Sequence, residues 1–306
     1  MRILILGKKG MLGSAFMSKL SGDEDFEIFA FDRDTLDVTD TDLLRKYFLE
    51  VSPGIVVNCV AYTAVDDCET NRDLAIKTNG EFPGELAKLC KEINSILVHF
   101  STDYVFDGAK ETGYAESDQP APINVYGESK LIGEKNIINN TDEYYILRTS
   151  WLYGPNGRNF VDTIISIGRN KGELSVVNDQ HGSPTYTYDL CDAVIENFLR
   201  PLFSKKPVSH EHFLDDSSPN EIPNEKSKLS FGLYHATNSG VTTWYDFAKK
   251  IFEILEENVI VNPVDTANFP RPAKRPNYST LLNTKFPLLR SWSDAVTAYV
   301  KLQYNK

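Results

Sequence analysis

MRILILGKKGMLG, residues 1–13, is the stretch that decides the fold. An apolar run, Ile3–Leu6, leads directly into Gly7, Gly10 and Gly13, and a helical pattern of apolar residues follows. In a strand, glycine-rich turn and helix of this kind, backbone N–H groups and the helix N-terminus can receive a pyrophosphate. Three glycines in a turn can also mean only a tight turn, so the neighbouring sequence has to decide between the two.

The second predicted strand favours dinucleotide binding. Strand Glu27–Phe31 ends in Asp32, roughly 20 residues beyond the glycines, where a carboxylate reaches the hydroxyls of an adenosine ribose. The glycine spacing is G-x-x-G-x-x-G rather than the usual G-x-G-x-x-G. Asp32 favours NADH because a carboxylate repels a 2′-phosphate, whereas Arg33 and Lys8 or Lys9 would neutralise that phosphate. We therefore predict NADPH or NADH as the cofactor.

Apolar strands alternate with amphipathic helices, which predicts an α/β fold with a Rossmann-type, doubly wound parallel sheet. We expect residues 1–150 to form the NAD(P)-binding domain, with later segments returning to it. Residues 151–306 would form mainly a smaller C-terminal α/β substrate-binding domain, in which the polar segment 204–230 is expected to be an exposed, mobile loop. The other predicted elements are strands Ile55–Cys59, Ile96–Ser101, Tyr145–Arg148, Leu174–Val177 and Leu233–Ala236, and helices Asp40–Val51, Asn79–Ile93, Asn159–Lys171, Tyr188–Leu199 and Thr243–Glu256.

Composition excludes several classes of protein. The net charge of -11 argues against a nucleic-acid partner. No apolar run approaches the ~20 residues that span a bilayer, so we expect no membrane association. Because the first strand begins at Arg2, we expect no signal peptide and a cytoplasmic protein. The four cysteines have neither paired nor metal-ligand spacing, which predicts reduced thiols.

Tyr126-Gly-Glu-Ser-Lys130 carries the predicted chemistry. Tyrosine and lysine at i and i+4 lie on one face of a helix, and an ammonium beside a phenol favours the phenolate. In the reduction of a carbonyl, negative charge develops on the oxygen. Thr102, at the end of the fourth strand, would donate to that oxygen, and Tyr126 would protonate it. Lys130 would lower the pKa of Tyr126 and hydrogen-bond the nicotinamide ribose.

Other polar and aromatic residues follow the predicted strands. Cys59, Ala61 and Tyr62 close the third strand and would pass under the nicotinamide ribose and pyrophosphate. Asn79 opens the next predicted helix, either as its N-cap or as a bridge to the active site. Hydroxyl-rich Ser101–Asp103 ends the fourth strand, where small residues can also cap a turn.

The second half offers candidates for substrate binding. Trp151 follows the fifth strand and is either a core residue or a wall for a sugar or base. The polar loop Asp179–Thr185 contains Gln180 and suits the recognition of hydroxyls. Arg271–Arg275 is either a solvated loop or, through Arg275, a phosphate site. His210 and His212 lie in the polar segment, where solvated side chains are expected rather than metal ligands.

These stretches together resemble the extended short-chain dehydrogenase/reductases, and within them the dTDP-4-dehydrorhamnose reductase branch. The resemblance runs along nearly the whole chain. It is carried by GKKGMLG, LDVTD (residues 36–40), NCVAYTAVDDCE (58–69), HFSTDYVFDG (99–108), NVYGESKLIGEK (124–135), LRTSWLYGPNGRNFV (147–161), VVNDQHGSPTY (176–186) and KRPNYSTLLNTKF (274–286).

The resemblance implies NAD(P)H-dependent reduction of the 4-keto group of dTDP-4-dehydro-L-rhamnose to dTDP-L-rhamnose. It implies Thr102, Tyr126 and Lys130 as catalytic residues, and a dTDP-sugar partner. The expected cofactor-binding residues are Gly7, Gly10, Met11, Leu12, Gly13, Asp32, Arg33, Asp37, Val38, Cys59, Ala61, Tyr62, Asn79, Tyr126 and Lys130. The expected substrate-binding residues are Ser101, Thr102, Asp103, Trp151, Asn159, Gln180 and Arg275.

The chain also departs from the family pattern. Some relatives are dimers with a Mg²⁺ held by glutamates, but the matching positions here are Ser14-Ala15 and a site within Thr187–Asp189. We therefore predict no metal and a monomer or weak homodimer. Tyr278-Ser279-Thr280-Leu281 lacks an arginine that the family carries, which leaves open another nucleotide-linked 4-keto-6-deoxysugar as the substrate.

Three other functions have to be weighed. A 4,6-dehydratase needs a second carboxyl after the threonine, and here Asp103-Tyr104 follows Thr102. An epimerase usually has a small Ser/Ala tract at the same place. A non-catalytic NAD(P)-binding regulatory subunit would be expected to have lost Tyr126 or Lys130, and both are present. We therefore favour a reductase.

Overall fold

The computed structural model describes residues 1–38, 40–203 and 229–304. The loop predicted at 204–230, with His210 and His212, therefore falls almost entirely outside the described residues. In chain order the strands are β1 (Arg2–Leu6), β2 (Glu27–Phe31), β3 (Ile55–Asn58), β4 (Ile96–Thr102), β5 (Tyr144–Thr149), β6 (Leu152–Tyr153), β7 (Glu173–Val177), β8 (His181–Gly182), β9 (Thr185–Tyr186), β10 (Gly232–His235), β11 (Asn238–Ser239), β12 (Thr242–Thr243), β13 (Ile260–Val264) and β14 (Leu289–Ser291).

Helices connect most of these strands. They are α1 (Met11–Leu20), α2 (Thr41–Val51), α3 (Val65–Thr70), α4 (Arg72–Ile76), α5 (Phe82–Glu92), α6 (Val125–Asn140), α7 (Phe160–Lys171), α8 (Thr187–Val194), α9 (Arg200–Phe203), α10 (Trp244–Leu255) and α11 (Trp292–Tyr304). Short π-helical turns, Lys77–Glu81 and Ile195–Leu199, continue α4 into α5 and α8 into α9. Within the described ranges, no helix is long and apolar enough to cross a membrane.

A six-stranded parallel sheet forms the centre of the molecule, in the order β10-β5-β4-β3-β1-β2. The chain moves from β1 outward to β2 and then back to β3 on the other side of β1. Strand order reverses at that point, and ligands of open α/β sheets bind in the crevice outside the strand ends there. The predicted doubly wound parallel sheet is confirmed.

Alternation along the strands creates one core on each face of the sheet, since successive side chains point to opposite faces. On one face, Ile3 and Ile5 pack with α1 and α8. On the other face, Leu4 and Leu6 pack with α2, α5 and α6. All four side chains are fully buried, which explains why the strand reads as a continuous apolar run.

A third core lies among α7, α10 and α11, and includes Tyr153, Phe247 and Tyr299. We call the part of the chain around this core the second lobe. Strand β10 pairs with β5 in the central sheet, and α8 packs on α1. The sequence pattern did not predict α3, α4, α11 or β13.

Candidate functional site

A cleft of about 820 Å³ opens at the carboxyl ends of the sheet strands, between the sheet and the second lobe. One side, which we call the sheet wall, is formed by Gly10–Leu12, Asn58–Ala61, Ser101–Tyr104, Tyr126 and Lys130. The opposite side, the lobe wall, is formed by Ser150–Leu152, Gly157–Phe160 and Trp244. The predicted catalytic residues Thr102, Tyr126 and Lys130 therefore share one cleft with the beginning of α1.

The glycine turn needs its glycines for two separate reasons. Gly7 has φ +85°, a left-handed conformation that residues with a Cβ rarely adopt. A Cβ on Gly13 would lie 2.2 Å from the carbonyl oxygen of Gly7, so α1 can approach the turn only with glycine there. Gly10 is the N-cap of α1 and makes no side-chain capping bond, which leaves the first N–H groups of the helix available to an anion.

Asp32 follows β2, at the edge of the sheet next to the glycine turn. Its Oδ1 accepts hydrogen bonds from the N–H groups of Asp34 and Thr35 at 3.0 and 3.2 Å. Burial raises the pKa of Asp32, but the hydrogen bonds from Asp34 and Thr35 outweigh it and hold the pKa below its usual range. Its buried Oδ2 accepts no hydrogen bond from a described residue, although Lys9 Nζ lies 3.4 Å away.

Several predicted cofactor residues lie beside the cleft and do not line it. Gly7 and Gly13 shape the turn from behind. Arg33 and Asp37 are exposed near Asp32, and Val38 packs against a core of the sheet.

Helix α6 brings Tyr126 and Lys130 to the sheet because two of its residues are glycine. A Cβ on Gly127 would lie 2.0 Å from the carbonyl oxygen of Tyr104, and one on Gly133 would lie 2.2 Å from that of Asn79. The N-cap Asn124 accepts a hydrogen bond from the N–H of Gly127 at 2.8 Å. The predicted helix and the single face shared by tyrosine and lysine therefore depend on close backbone packing.

The electrostatics of the pair differ from the prediction. Burial raises the pKa of the Tyr126 phenol well above its usual value, and the charge of Asp103 raises it further, while the Thr102 hydroxyl opposes the rise. Lys130 Nζ donates to the carbonyl oxygen of Phe100 at 2.6 Å. Burial lowers the pKa of Lys130 to about 8. The pKa of Tyr126 is therefore raised in this structure, where a lowered pKa was predicted.

Thr102 and Asp103 form a buried pair at the end of β4. The Thr102 hydroxyl donates to Asp103 Oδ1 at 3.0 Å and accepts from the N–H of Tyr104 at 3.2 Å. Burial raises the pKa of Asp103 to about 7, although the hydroxyls of Ser279 and Thr102 oppose the rise. This carboxyl can therefore gain or lose a proton near neutral pH, one residue from the predicted carbonyl-binding hydroxyl.

Two polar residues of the predicted site have their side chains engaged elsewhere. Ser101 lines the cleft, but its hydroxyl donates to Glu134, which also forms a buried ion pair with Arg148, so this proton is engaged within the protein. Asn79 is not an N-cap and does not line the cleft. Its amide exchanges hydrogen bonds with the backbone of Tyr62 at 2.8 and 3.0 Å and donates to Ser129 Oγ at 3.0 Å. It bridges the loop after β3 to α6, as the second predicted alternative had it.

Trp151 lies in the lobe wall, stacked on Trp244 with ring centroids 3.6 Å apart and planes at 9°. Trp151 has φ +48°, a strained backbone conformation for a bulky residue. Gly182 gives the indole room, since a Cβ there would lie 2.7 Å from Trp151 Cε2. Phe160 also packs against Trp244, with ring centroids 4.5 Å apart. Trp151, Trp244 and Phe160 thus form a cluster of three aromatic rings in the lobe wall.

The remaining predicted substrate residues have structural partners. Asn159 lines the cleft, but its side chain caps α7 by accepting from the N–H of Asp162 at 3.0 Å. Gln180 lies away from the cleft and donates to Thr266 Oγ1 at 2.9 Å. Arg275 also lies outside it, and its Nη1 donates to Asp66 Oδ1 at 2.6 Å. Gln180 and Arg275 were predicted to bind substrate because the sequence does not show these partners, which lie far away along the chain.

Sequence reasoning missed Tyr104, Arg158, Phe160 and Trp244, all of which line the cleft. Trp244 follows Thr243, the first residue of the predicted helix, which accepts a hydrogen bond from the N–H of Asp246 as the N-cap of α10. A tryptophan at the first position of a helix was the available signal. Across 1–38, 40–203 and 229–304, no cluster of three or more His, Cys, Asp or Glu side chains could hold a metal ion.

The chain is similar to known proteins along nearly its whole length. A family model described as RmlD substrate binding domain matches residues 1–214 and 220–304. A Streptomyces antibioticus protein named "Probable dTDP-4,6-dihydroxy-2-methyloxan-3-one 4-ketoreductase" is 40% identical, over 97% of this chain and 93% of its own. The dTDP-4-dehydrorhamnose reductase of Streptomyces griseus is 36% identical, over 97% of this chain and 92% of its own.

A solved structure shows the same likeness in three dimensions. The dTDP-4-dehydrorhamnose reductase of Bacillus anthracis, crystallised in complex with NADP, is 36% identical and superposes with a TM-score of 0.86. The match covers 99% of each chain. The similarity therefore includes both the sheet and the second lobe.

Proposed function

This chain belongs to the RmlD substrate binding domain family, and from that premise we propose that it reduces the 4-keto group of dTDP-4-dehydro-L-rhamnose to give dTDP-L-rhamnose. NADPH or NADH would supply the hydride when bound. The observation that carries the proposal is the meeting of Thr102, Tyr126 and Lys130 with the start of α1 in one cleft. A strand-end hydroxyl, a phenol and an amine beside a dinucleotide turn are the groups that carbonyl reduction requires.

The residues present fit a dinucleotide. The first turn of α1 has no side-chain cap, and the glycines allow a close approach of backbone to a pyrophosphate. The buried Oδ2 of Asp32, which accepts no hydrogen bond from a described residue, suits a ribose hydroxyl. Lys8 Nζ and Lys9 Nζ lie 3.9 and 3.4 Å from this oxygen and would neutralise a 2′-phosphate. These charges support the use of both coenzymes.

The side chains of the sheet wall would carry the proton chemistry. When substrate binds, Thr102 would redirect its proton from Asp103 Oδ1 to the carbonyl oxygen, and Tyr126 would donate a second hydrogen bond. The phenol would then give up its proton as negative charge develops on that oxygen. Because burial raises the pKa of Tyr126, the phenol holds its proton until that charge appears. The positive charge of Lys130, when protonated, then stabilises the phenolate that remains.

Trp151 and Trp244 would bound the sugar, since the apolar face of a hexose packs on aromatic rings. The Streptomyces antibioticus relative is named for a different dTDP-linked keto-sugar. A related nucleotide-linked 4-keto-6-deoxysugar is therefore the second candidate substrate for this chain.

The test measures oxidation of the coenzyme by its absorbance at 340 nm. It uses purified protein, NADPH or NADH, and dTDP-4-dehydro-L-rhamnose generated enzymatically in the cuvette. We expect oxidation of the coenzyme with the wild type and none with Tyr126→Phe. Tight coenzyme binding without oxidation would point to another keto-sugar or to a regulatory subunit. EDTA should leave the rate unchanged, and a loss of activity restored by Mg²⁺ would contradict the metal-free site.

Further properties of the protein belong to the same proposal. Residues 1–150 would act as the NAD(P)-binding domain and residues 151–306 mainly as the sugar-nucleotide domain. The protein would act in the cytoplasm as a monomer or weak homodimer, without nucleic-acid or membrane partners. Light scattering across a concentration series tests the oligomeric state.

A further inference from the structure

Three buried side chains lie in a row at the sheet wall, and the middle one, His99, does not line the cleft. Asn58 ends β3, His99 lies beside it in β4, and Lys130 projects from α6, with exposures of 1%, 0% and 2%. Asn58 Nδ2 is 3.0 Å from His99 Nδ1, and His99 Nε2 is 3.3 Å from Lys130 Nζ. The proposed reaction assigns no role to Asn58 or His99.

The backbone fixes the orientation of the Asn58 amide. The N–H of Val60 donates to Asn58 Oδ1 at 3.0 Å. If the amide were rotated by 180°, the Nδ2 donor would lie 3.0 Å from the N–H donor of Val60. The Oδ1 atom therefore faces Val60, and Nδ2 faces His99. His99 Nδ1 must then accept a hydrogen bond and carries no proton.

The tautomer of His99 follows from this constraint. Burial, and then the charge of Lys130, lowers the pKa of His99 well below its usual value, so the ring is neutral. A neutral imidazole carries one N–H, and with Nδ1 accepting, the proton lies on Nε2. This Nε2–H points at Lys130 Nζ. If Lys130 is a free amine, its nitrogen lone pair can accept this hydrogen bond while one of its N–H groups donates to the carbonyl oxygen of Phe100 at 2.6 Å. If Lys130 is an ammonium, it has no lone pair, and two hydrogen-bond donors face each other.

We propose that His99, oriented by Asn58, is a positioning residue that donates its Nε2–H to Lys130 and thereby favours the free amine of Lys130 over its ammonium. The inference rests on the proposed function only for its kinetic consequence. The reaction uses the positive charge of Lys130, so the rate falls as pH rises and Lys130 loses its proton. His99 lowers the pH at which that loss occurs.

Other groups around Lys130 act in known directions. Glu134, one turn further along α6, favours the ammonium, but its carboxylate is committed to Arg148, with Oε2 2.6 Å from Nη2. Cys59, at the end of β3, keeps its thiol neutral because burial raises its pKa. Tyr126 is likewise neutral, since burial raises the pKa of its phenol. Burial of Lys130 itself works in the same direction as His99.

The first experiment needs neither coenzyme nor substrate. Nitrogen NMR of ¹⁵N-histidine-labelled protein reports the protonation of each ring nitrogen, and the signal of His99 among the five histidines is assigned by its loss in His99→Phe. We expect a proton on Nε2 and an unprotonated, hydrogen-bonded Nδ1 at both pH 7 and pH 9. A proton on Nδ1, alone or with Nε2, would overturn the proposal. This result stands even if the protein does not reduce the proposed sugar.

The second experiment measures kcat/KM against pH. His99→Phe removes the donor to Lys130, so the alkaline limb should move up by about one pH unit, the shift expected for one hydrogen bond. His99→Gln, which can turn its carbonyl oxygen toward an ammonium, should move the limb the same way and serves if the phenylalanine variant does not fold. His235→Gln changes an equally buried histidine on β10 and should leave the limb in place. An unmoved limb in a folded His99 variant would overturn the proposal.

Discussion

The sheet wall of the cleft is held by backbone, whereas the lobe wall is held by side chains from distant parts of the chain. In the sheet wall, Gly13 and Gly127 bring helices against strand ends at distances that no Cβ would allow. In the lobe wall, Trp151 stays in a strained conformation and is supported by Trp244, about 90 residues further along the chain. We infer that the sheet wall is the rigid partner, and that the lobe wall adapts the same chemistry to a particular sugar.

The largest effect should come from the sheet wall. Tyr126→Phe removes the proton donor without disturbing the helix that carries it, so kcat should fall at least ~100-fold, the usual size of a general-acid effect. The affinity for NADPH, followed by fluorescence titration, should stay the same. If activity survives, Tyr126 is not the acid.

Gly13→Ala tests whether the glycine turn is rigid. The added methyl would lie 2.2 Å from the carbonyl oxygen of Gly7, so α1 has to move away from the turn. We expect the affinity for NADPH to fall about 30-fold, equivalent to an overpacking cost of about 2 kcal/mol. Gly10→Ala is the matched control, because its methyl would lie 3.3 Å from the same oxygen. Equal losses of NADPH affinity in both variants would show that the glycine turn moves to accommodate the added methyl group and is not rigid.

The difference between the two walls also explains which parts of the site could be predicted from the sequence and which could not. The strands, α1 and α6 follow from apolar periodicity and from motifs in which a few adjacent residues decide the geometry. Thr102, Tyr126 and Lys130 therefore fall in one cleft as expected. Gln180 and Arg275 were placed at the substrate from residue type alone, and their partners are more than 80 residues away.

Electrostatics inside the site could not be derived from spacing either. Tyrosine and lysine at i and i+4 predicted a lowered phenol pKa, yet burial dominates and raises it. Burial depends on how closely α6 packs against the sheet, and that depends on Gly127 and Gly133, whose neighbours come from other elements. Local motifs thus identified which groups meet in the cleft, but the protonation equilibria arise from the packing around them.

Trp244→Ala should have a smaller effect, confined to the substrate. Without its stacking partner, Trp151 loses one side of its support, and KM for the sugar nucleotide should rise ~10-fold with little change in the affinity for NADPH. Trp292→Ala is the control, since Trp292 packs on Phe247 in the second lobe and does not line the cleft. A parallel loss of NADPH affinity in Trp244→Ala would mean that the two walls do not act separately.

The smallest expected effect concerns the ion pairs that join α3 to residues 271–275, which we call the clamp. Asp66, in α3 beside the cleft, binds Arg271 and Arg275. Burial raises the pKa of Asp66, but the hydrogen bonds from these arginines outweigh it and lower the pKa to about 2. Because the pKa is lower in the folded state, the stabilisation is fully present above the unfolded value of about 4 and is lost as pH falls toward 2.

The size of this effect is limited by solvent. Arg271 is half exposed, so solvent screening reduces the contribution to about 1 kcal/mol. Urea unfolding should therefore show wild type more stable than Asp66→Asn by this amount at pH 5, with the gap narrowing at pH 3. A gap that does not change with pH would mean that the clamp acts through packing and not through charge.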